Sequence, residues 1–120
     1  MILLVTGGRR RADTRTIFSV LAGFHQRHRI DVLIEGGAWG ADRIAQNWAG
    51  VVGVHVATVA AQWGKYGKQA GTARNLAMLA LRPDHILAFP SKGSVGTWHC
   101  INAGKKLGIP VEIHEEDHKQ

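Results

Sequence analysis

The sequence predicts a three-layer Rossmann-like α/β domain, with a mainly parallel five-stranded sheet and helices on both faces. Three observations predict it. Five short apolar runs alternate with segments of helical periodicity along the whole chain. The connections between them are short, as crossover units require. Three of the apolar runs close on glycine-rich turns, the usual furniture of strand ends in such sheets.

The first strand is Ile2-Leu3-Leu4-Val5, a continuous apolar run that fits burial on both faces, closed by Thr6-Gly7-Gly8. Residues 14–28 come next as a helix, with Ile17, Phe18, Leu21 and Phe24 at helical spacing. Residues 31–35 form the second strand and end at Gly36-Gly37. The next helix spans residues 41–52, with Ile44, Ala45, Trp48 and Ala49 on one face. Residues 54–59 are a third strand. Residues 60–71, rich in Gly, Lys and aromatics, read as a loop. A helix over 72–81 ends before Pro83, which cannot continue it. His85-Ile86-Leu87-Ala88-Phe89 is the fourth strand, stopped by Pro90. A glycine loop, 91–96, leads to a helix over 97–107 with Gly108 as its C-terminal cap. Residues 110–114 supply the fifth strand.

Length and composition bound the rest. The 120 residues fit one domain, 1–114, with a charged tail, 115–120, after it. A hydrophobic content of 45% is enough for one core without disulfide or metal staples. Fifteen glycines without a period exclude collagen and place function in loops. A net charge of +6 favours anionic partners, yet the run Arg9-Arg10-Arg11 reads as a solvated basic face ahead of a nucleic-acid groove. Cys100 is the sole cysteine, which suits a reducing cytoplasm. No signal peptide or membrane span is expected. The seven histidines show no metal-ligand spacing, so neither metal nor cofactor is expected.

The chemistry is expected at the glycine loops. In an open α/β sheet ligands sit outside the carboxyl ends of the strands, where strand order reverses. With the usual order 3-2-1-4-5, the loops after the first and fourth strands face each other across one crevice. Helix N-termini and glycine backbones suit a phosphate there. The phosphate-binding candidates are Thr6, Gly7, Gly8 and Arg9; Gly36, Gly37, Gly40 and Asp42; and Gly93, Ser94, Gly96 and Thr97. Asp42 and Thr97 have an alternative reading as helix-start residues that satisfy N–H groups. From the 60–75 segment, Lys68, Arg74 and Asn75 join them, while Trp63 and Tyr66 offer faces for a base. No loop carries the Gly-Lys-Ser/Thr of a P-loop or the dinucleotide Gly-x-Gly-x-x-Gly with a downstream acid.

Taken together, the segments 5–9, 35–42, 63–71 and 74–78, with Ala88-Phe89-Pro90 and the loop up to Thr97, resemble the SLOG superfamily. These Rossmann-like domains are named after the Smf/DprA and LOG proteins, and the resemblance is to the YspA, cpYpsA-related branch. It implies a nucleotide-derived ligand. Related branches cleave a base from a nucleoside monophosphate, sense cyclic ADP-ribose isomers, or bind DNA.

In the LOG enzymes the last loop reads Pro-Gly-Gly-x-Gly-Thr-x-x-Glu, with a catalytic glutamate. Here the loop is longer, and Cys100 stands where that glutamate would be. Arg74 is the counterpart of the LOG arginine. Glu35 is the substitute acid the sequence offers; otherwise it is a strand-end carboxylate paired with Arg9 or Arg43. Cys100 beside His99 on a helix points the wrong way for proton transfer and reads as a buried structural residue. The leading expectation is a binding or sensing module for a nucleotide or ADP-ribose-like ligand. A phosphoribohydrolase using Glu35 and Arg74 is the alternative, and a DNA-binding module the weaker one. A homo-oligomer is compatible with exposed Trp39, Trp48 or Trp98, which otherwise join the core.

Overall fold

In a computed structural model, residues 1–116 are described; the end of the charged tail, 117–120, lies outside the described residues. Five strands form one all-parallel sheet: β1 (Ile2–Gly7), β2 (Val32–Glu35), β3 (His55–Thr58), β4 (His85–Phe89) and β5 (Val111–Ile113). Their order is β3-β2-β1-β4-β5, so strand order reverses between β1 and β4. The register puts Leu4 between Ile34 of β2 and Ile86 of β4.

The layers arise from which residues each strand turns to either side. On one face Leu3, Val5, Leu33, Leu87 and Phe89 pack on α1 (Thr14–His28) and α2 (Ala41–Val52), whose Ile17, Leu21, Phe24, Ile44, Ala45 and Trp48 are buried. On the other, Leu4, Ile34, Ile86 and Ala88 meet α4 (Ala70–Ala80) and α5 (Val95–Lys106) through Met78, Leu79, Cys100 and Ile101. Three layers and a parallel sheet are what the alternation of apolar runs predicts.

Two local expectations are corrected. The loop expected over 60–71 contains a single helical turn, α3 (Trp63–Tyr66), then a 3-10 turn (Gly67–Gln69) that runs straight into α4 two residues early. Ala70 is fully buried, so the first turn of α4 is fixed by packing rather than by local propensity. Likewise α5 begins at Val95, not at residue 97. The hydroxyl of Ser94 accepts from the Ser91 N–H at 3.0 Å and donates to the Ser91 carbonyl at 2.7 Å, which closes the turn early and places Gly96 and Thr97 inside the helix. Of the three tryptophans considered for an oligomer contact, Trp48 is core at 2% exposure, while Trp39 and Trp98 are exposed.

The basic run is also corrected. Arg9 and Arg10 are exposed, but Arg11 is buried. Its Nε and Nη2 donate to the two carboxylate oxygens of Asp13 at 2.8 and 2.7 Å. Its Nη1 donates to the carbonyls of Pro90 and His114 at 3.0 and 2.8 Å. This arginine ties the segment after β1 to the ends of β4 and β5. The adjacent guanidinium holds Asp13 below the usual carboxylate range.

Candidate ligand-binding cleft

A cleft of about 450 Å³ opens at the carboxyl edge of the sheet, over the β1–β4 reversal. Its construction begins with two close approaches. The Gly8 N–H donates to the carbonyl of Phe89 at 2.9 Å, and Gly8 lies so near Ser91 that a Cβ on it would overlap that side chain. Gly40, at φ +83, packs on the backbone of Gly8 and Arg9, where no side chain fits. The Gly8 carbonyl accepts from the N–H groups of both Arg11 and Ala41. The turns after β1, β2 and β4 are thereby drawn together.

Of the phosphate-binding candidates, Thr6, Gly7, Gly8, Arg9 and Asp42 line this cleft. So do Lys68 and Arg74, and Gly93, Ser94, Gly96 and Thr97. Trp63 lines it, but Tyr66 does not. Gly36, Gly37, Gly40 and Asn75 do not line it. Gly36 is held in a narrow place: a Cβ there would strike the Arg74 guanidinium, and the Gly36 carbonyl accepts from Arg74 Nη1 at 2.7 Å. Asn75 is 2% exposed; its Nδ2 donates to the Gly96 carbonyl at 3.0 Å and its Oδ1 accepts from Arg74 Nε at 2.9 Å. Sequence reasoning passed over Arg10, Thr72 and Lys92, which also line the cleft. Lys92 sits in the glycine loop already singled out, and that position was its only signal.

The electrostatics are one-sided. Arg9, Arg10, Lys68, Arg74 and Lys92 line the cleft against a single acid, Asp42. At the start of α5 no side chain caps the first turn, and Gly96 and Thr97 of that turn line the same opening, at the positive end of the helix. The Arg9 guanidinium lies 5.7 Å from the centre of the Trp63 ring, bridging the β1 turn and α3 across the mouth. An anion is the ligand such a lining favours.

The two acids expected near the crevice separate. Glu35 is fully buried, does not line the cleft and pairs with neither Arg9 nor Arg43. Its carboxylate accepts from the Gly37 N–H at 2.7 Å and from the Thr58 hydroxyl of β3. Arg43 instead lies over the exposed ring of Trp39, 4.5 Å from its centre. The geometry leaves Asp42 as the acid of the cleft. It does not cap its own helix: Oδ2 reaches back to the N–H groups of Gly36 and Ala38 at 3.1 and 3.4 Å. Burial pushes its carboxyl up to about 7; Glu35 adds to the rise, while Arg74 and the two N–H groups oppose it.

Cys100 lies behind Thr6 on the floor and is fully buried. Burial pushes its thiol up to about 11, against a hydrogen bond from Thr6 that lowers it. A thiol so held is no nucleophile at neutral pH. Among the described residues no cluster of His, Cys, Asp and Glu could hold a metal ion, and no helix is long and apolar enough to cross a membrane.

Known proteins share this sequence pattern. The family model described as YspA, cpYpsA-related SLOG matches residues 1–66. A protein of Mycobacterium phage D29, described as the Gene 61 protein, is 41% identical over 115 residues, covering 91% of this chain and 92% of its own. No solved structure matches the chain.

Proposed function

Because the chain belongs to the YspA, cpYpsA-related SLOG family, we propose that its cleft binds a nucleotide or ADP-ribose-like phosphate ligand, as a binding or sensing module. One observation carries the reading: turns from three strands, an uncapped helix start and five cationic side chains converge on a single cleft. The phosphate lies on the 91–97 turn, within reach of Arg9 and Lys92. Trp63, half exposed at the mouth, offers its face to a base once the Arg9 guanidinium moves off it.

A second reading, hydrolysis of the N-glycosidic bond of a nucleoside monophosphate, is favoured by one observation. Asp42, in place of Glu35, is a cleft carboxyl that holds its proton near neutral pH, which a general acid requires. Mixing the protein with AMP and with ADP-ribose separates the two. A rise in melting temperature without free base supports the binding module; release of adenine supports the hydrolase. No shift and no base with either ligand overturns both. Salt-sensitive retention on single-stranded DNA would instead support the weaker nucleic-acid reading.

A further inference from the structure

Two polar groups at one end of the cleft lack a partner. Asp42 Oδ1 makes no hydrogen bond, although the residue is only 4% exposed. Beside it, Arg74 has its Nε committed to Asn75 and its Nη1 to Gly36, while Nη2 has no partner among the described residues. Buried polar atoms in folded proteins are nearly always paired, so an orphaned carboxyl oxygen on a cleft floor marks a place where a ligand supplies the partner.

The surroundings restrict that donor. Arg9, Arg10, Lys68, Arg74 and Lys92 repel an ammonium or guanidinium group. Once ionised, above about pH 7, the Asp42 carboxylate in turn disfavours a bare phosphate oxygen, which brings no proton. A neutral hydroxyl fits both vacancies, since it donates to Oδ1 and accepts from Nη2 at once. The anion end of the cleft, at the start of α5, is left for the phosphate. Oδ1 lies just beneath the floor, and the guanidinium of Arg74 flanks Gly36 next to Asp42, so a small swing of this long side chain seats the hydroxyl.

Resting on the phosphate-cleft reading above, we infer that Asp42 is the specificity-determining residue of the cleft: with Arg74 it takes a sugar hydroxyl, so that the cleft selects sugar phosphates over phosphates that carry no hydroxyl. A hydrogen bond to a charged or strongly polar buried partner is worth enough to give a preference of about tenfold or more.

The test compares two probes that differ only in their hydroxyls. Ribose 5-phosphate and tetrahydrofurfuryl phosphate, the same ring without hydroxyls, are titrated into the wild-type protein by calorimetry at about pH 8.5, where the Asp42 carboxyl is ionised. Ribose 5-phosphate is expected to bind about tenfold more tightly or better. Equal affinities overturn the inference and leave the phosphate cleft standing; no binding of either probe overturns both. In Asp42→Asn the carboxamide oxygen stays with the Gly36 and Ala38 N–H groups, and an NH2 takes the place of Oδ1. The preference is then expected to collapse to about threefold or less. A folded variant, by near-ultraviolet circular dichroism, that keeps the full preference overturns the role of Asp42. If the variant does not fold, the two-probe comparison on the wild type decides.

Discussion

Arg74 Nε donates to the Oδ1 of its own sequence neighbour, Asn75, at 2.9 Å, although adjacent helical residues point about 100° apart. The bond is made because both side chains are held from outside α4, Arg74 by the Gly36 carbonyl and Asn75 by the Gly96 carbonyl. Together they brace the β2 turn against the first turn of α5, across the cleft.

Asn75→Ala removes its bonds to Arg74, to the Gly96 carbonyl and to His99 Nδ1, and leaves the Arg74 side chain held at one point. A loss of about 1–3 kcal/mol in stability is expected, with weaker binding of ribose 5-phosphate. Urea unfolding and calorimetry check the two effects separately.

Arg11→Met and Arg10→Met are expected to differ sharply, although the residues are adjacent. The first strands Asp13 and the carbonyls of Pro90 and His114 and costs about 3 kcal/mol or more. The second changes stability by about 0.5 kcal/mol or less and weakens phosphate binding. Equal urea midpoints for the two variants would contradict the assignment of Arg11 as a strut.

Gly8→Ala drives a methyl group into Ser91. The expected cost is about 1–3 kcal/mol, as for overpacking elsewhere. Ser91→Gly removes the obstructing Cβ and Oγ, so the double variant should recover part of the loss. Strict additivity of the two changes in thermal unfolding would show that the turns after β1 and β4 do not touch in solution.

The Asp42 carboxyl titrates near 7 in the folded chain, against an ordinary 3.8. Because its folded value is raised, it stabilises the fold fully below about pH 4, and the contribution is lost as pH rises through about 7. Relative to Asp42→Asn, the ligand-free wild type should lose about 2 kcal/mol between about pH 5.5 and pH 8.5, nearly all of it before the folded carboxyl has ionised. Melting curves of both proteins at the two pH values test this; a constant difference counts against a buried, proton-holding Asp42.

The sheet was legible because parallel strands buried on both faces must be apolar throughout, as the runs of β1, β2 and β4 largely are, whereas its order was taken from the order usual for such sheets and not from any residue. The helical spacing of Ile44, Ala45, Trp48 and Ala49 likewise marks Trp48 as core, and an oligomer role for it ran against that pattern. Arg11 was not legible. A charge at the end of a run of charges has no local sign of burial, and its carbonyl partners lie 79 and 103 residues away. Nor was α3, whose Trp-Gly-Lys-Tyr has poor helix propensity and takes its shape from the 3-10 turn and α4 beyond it. Within the site, the glycine turns announced themselves, but which acid faces the ligand did not. Glu35 and Asp42 flank the same turn, and only its path sends one toward Thr58 and the other toward the cleft.

Cys100 has one further use. It is the chain's single thiol, sealed behind Thr6 in the packed layer between β4 and α5. An alkylating dye therefore cannot reach it until that layer parts, so the rate of labelling in native buffer clocks spontaneous opening of the molecule, and slower labelling on adding a sugar phosphate would register occupancy without any engineered probe.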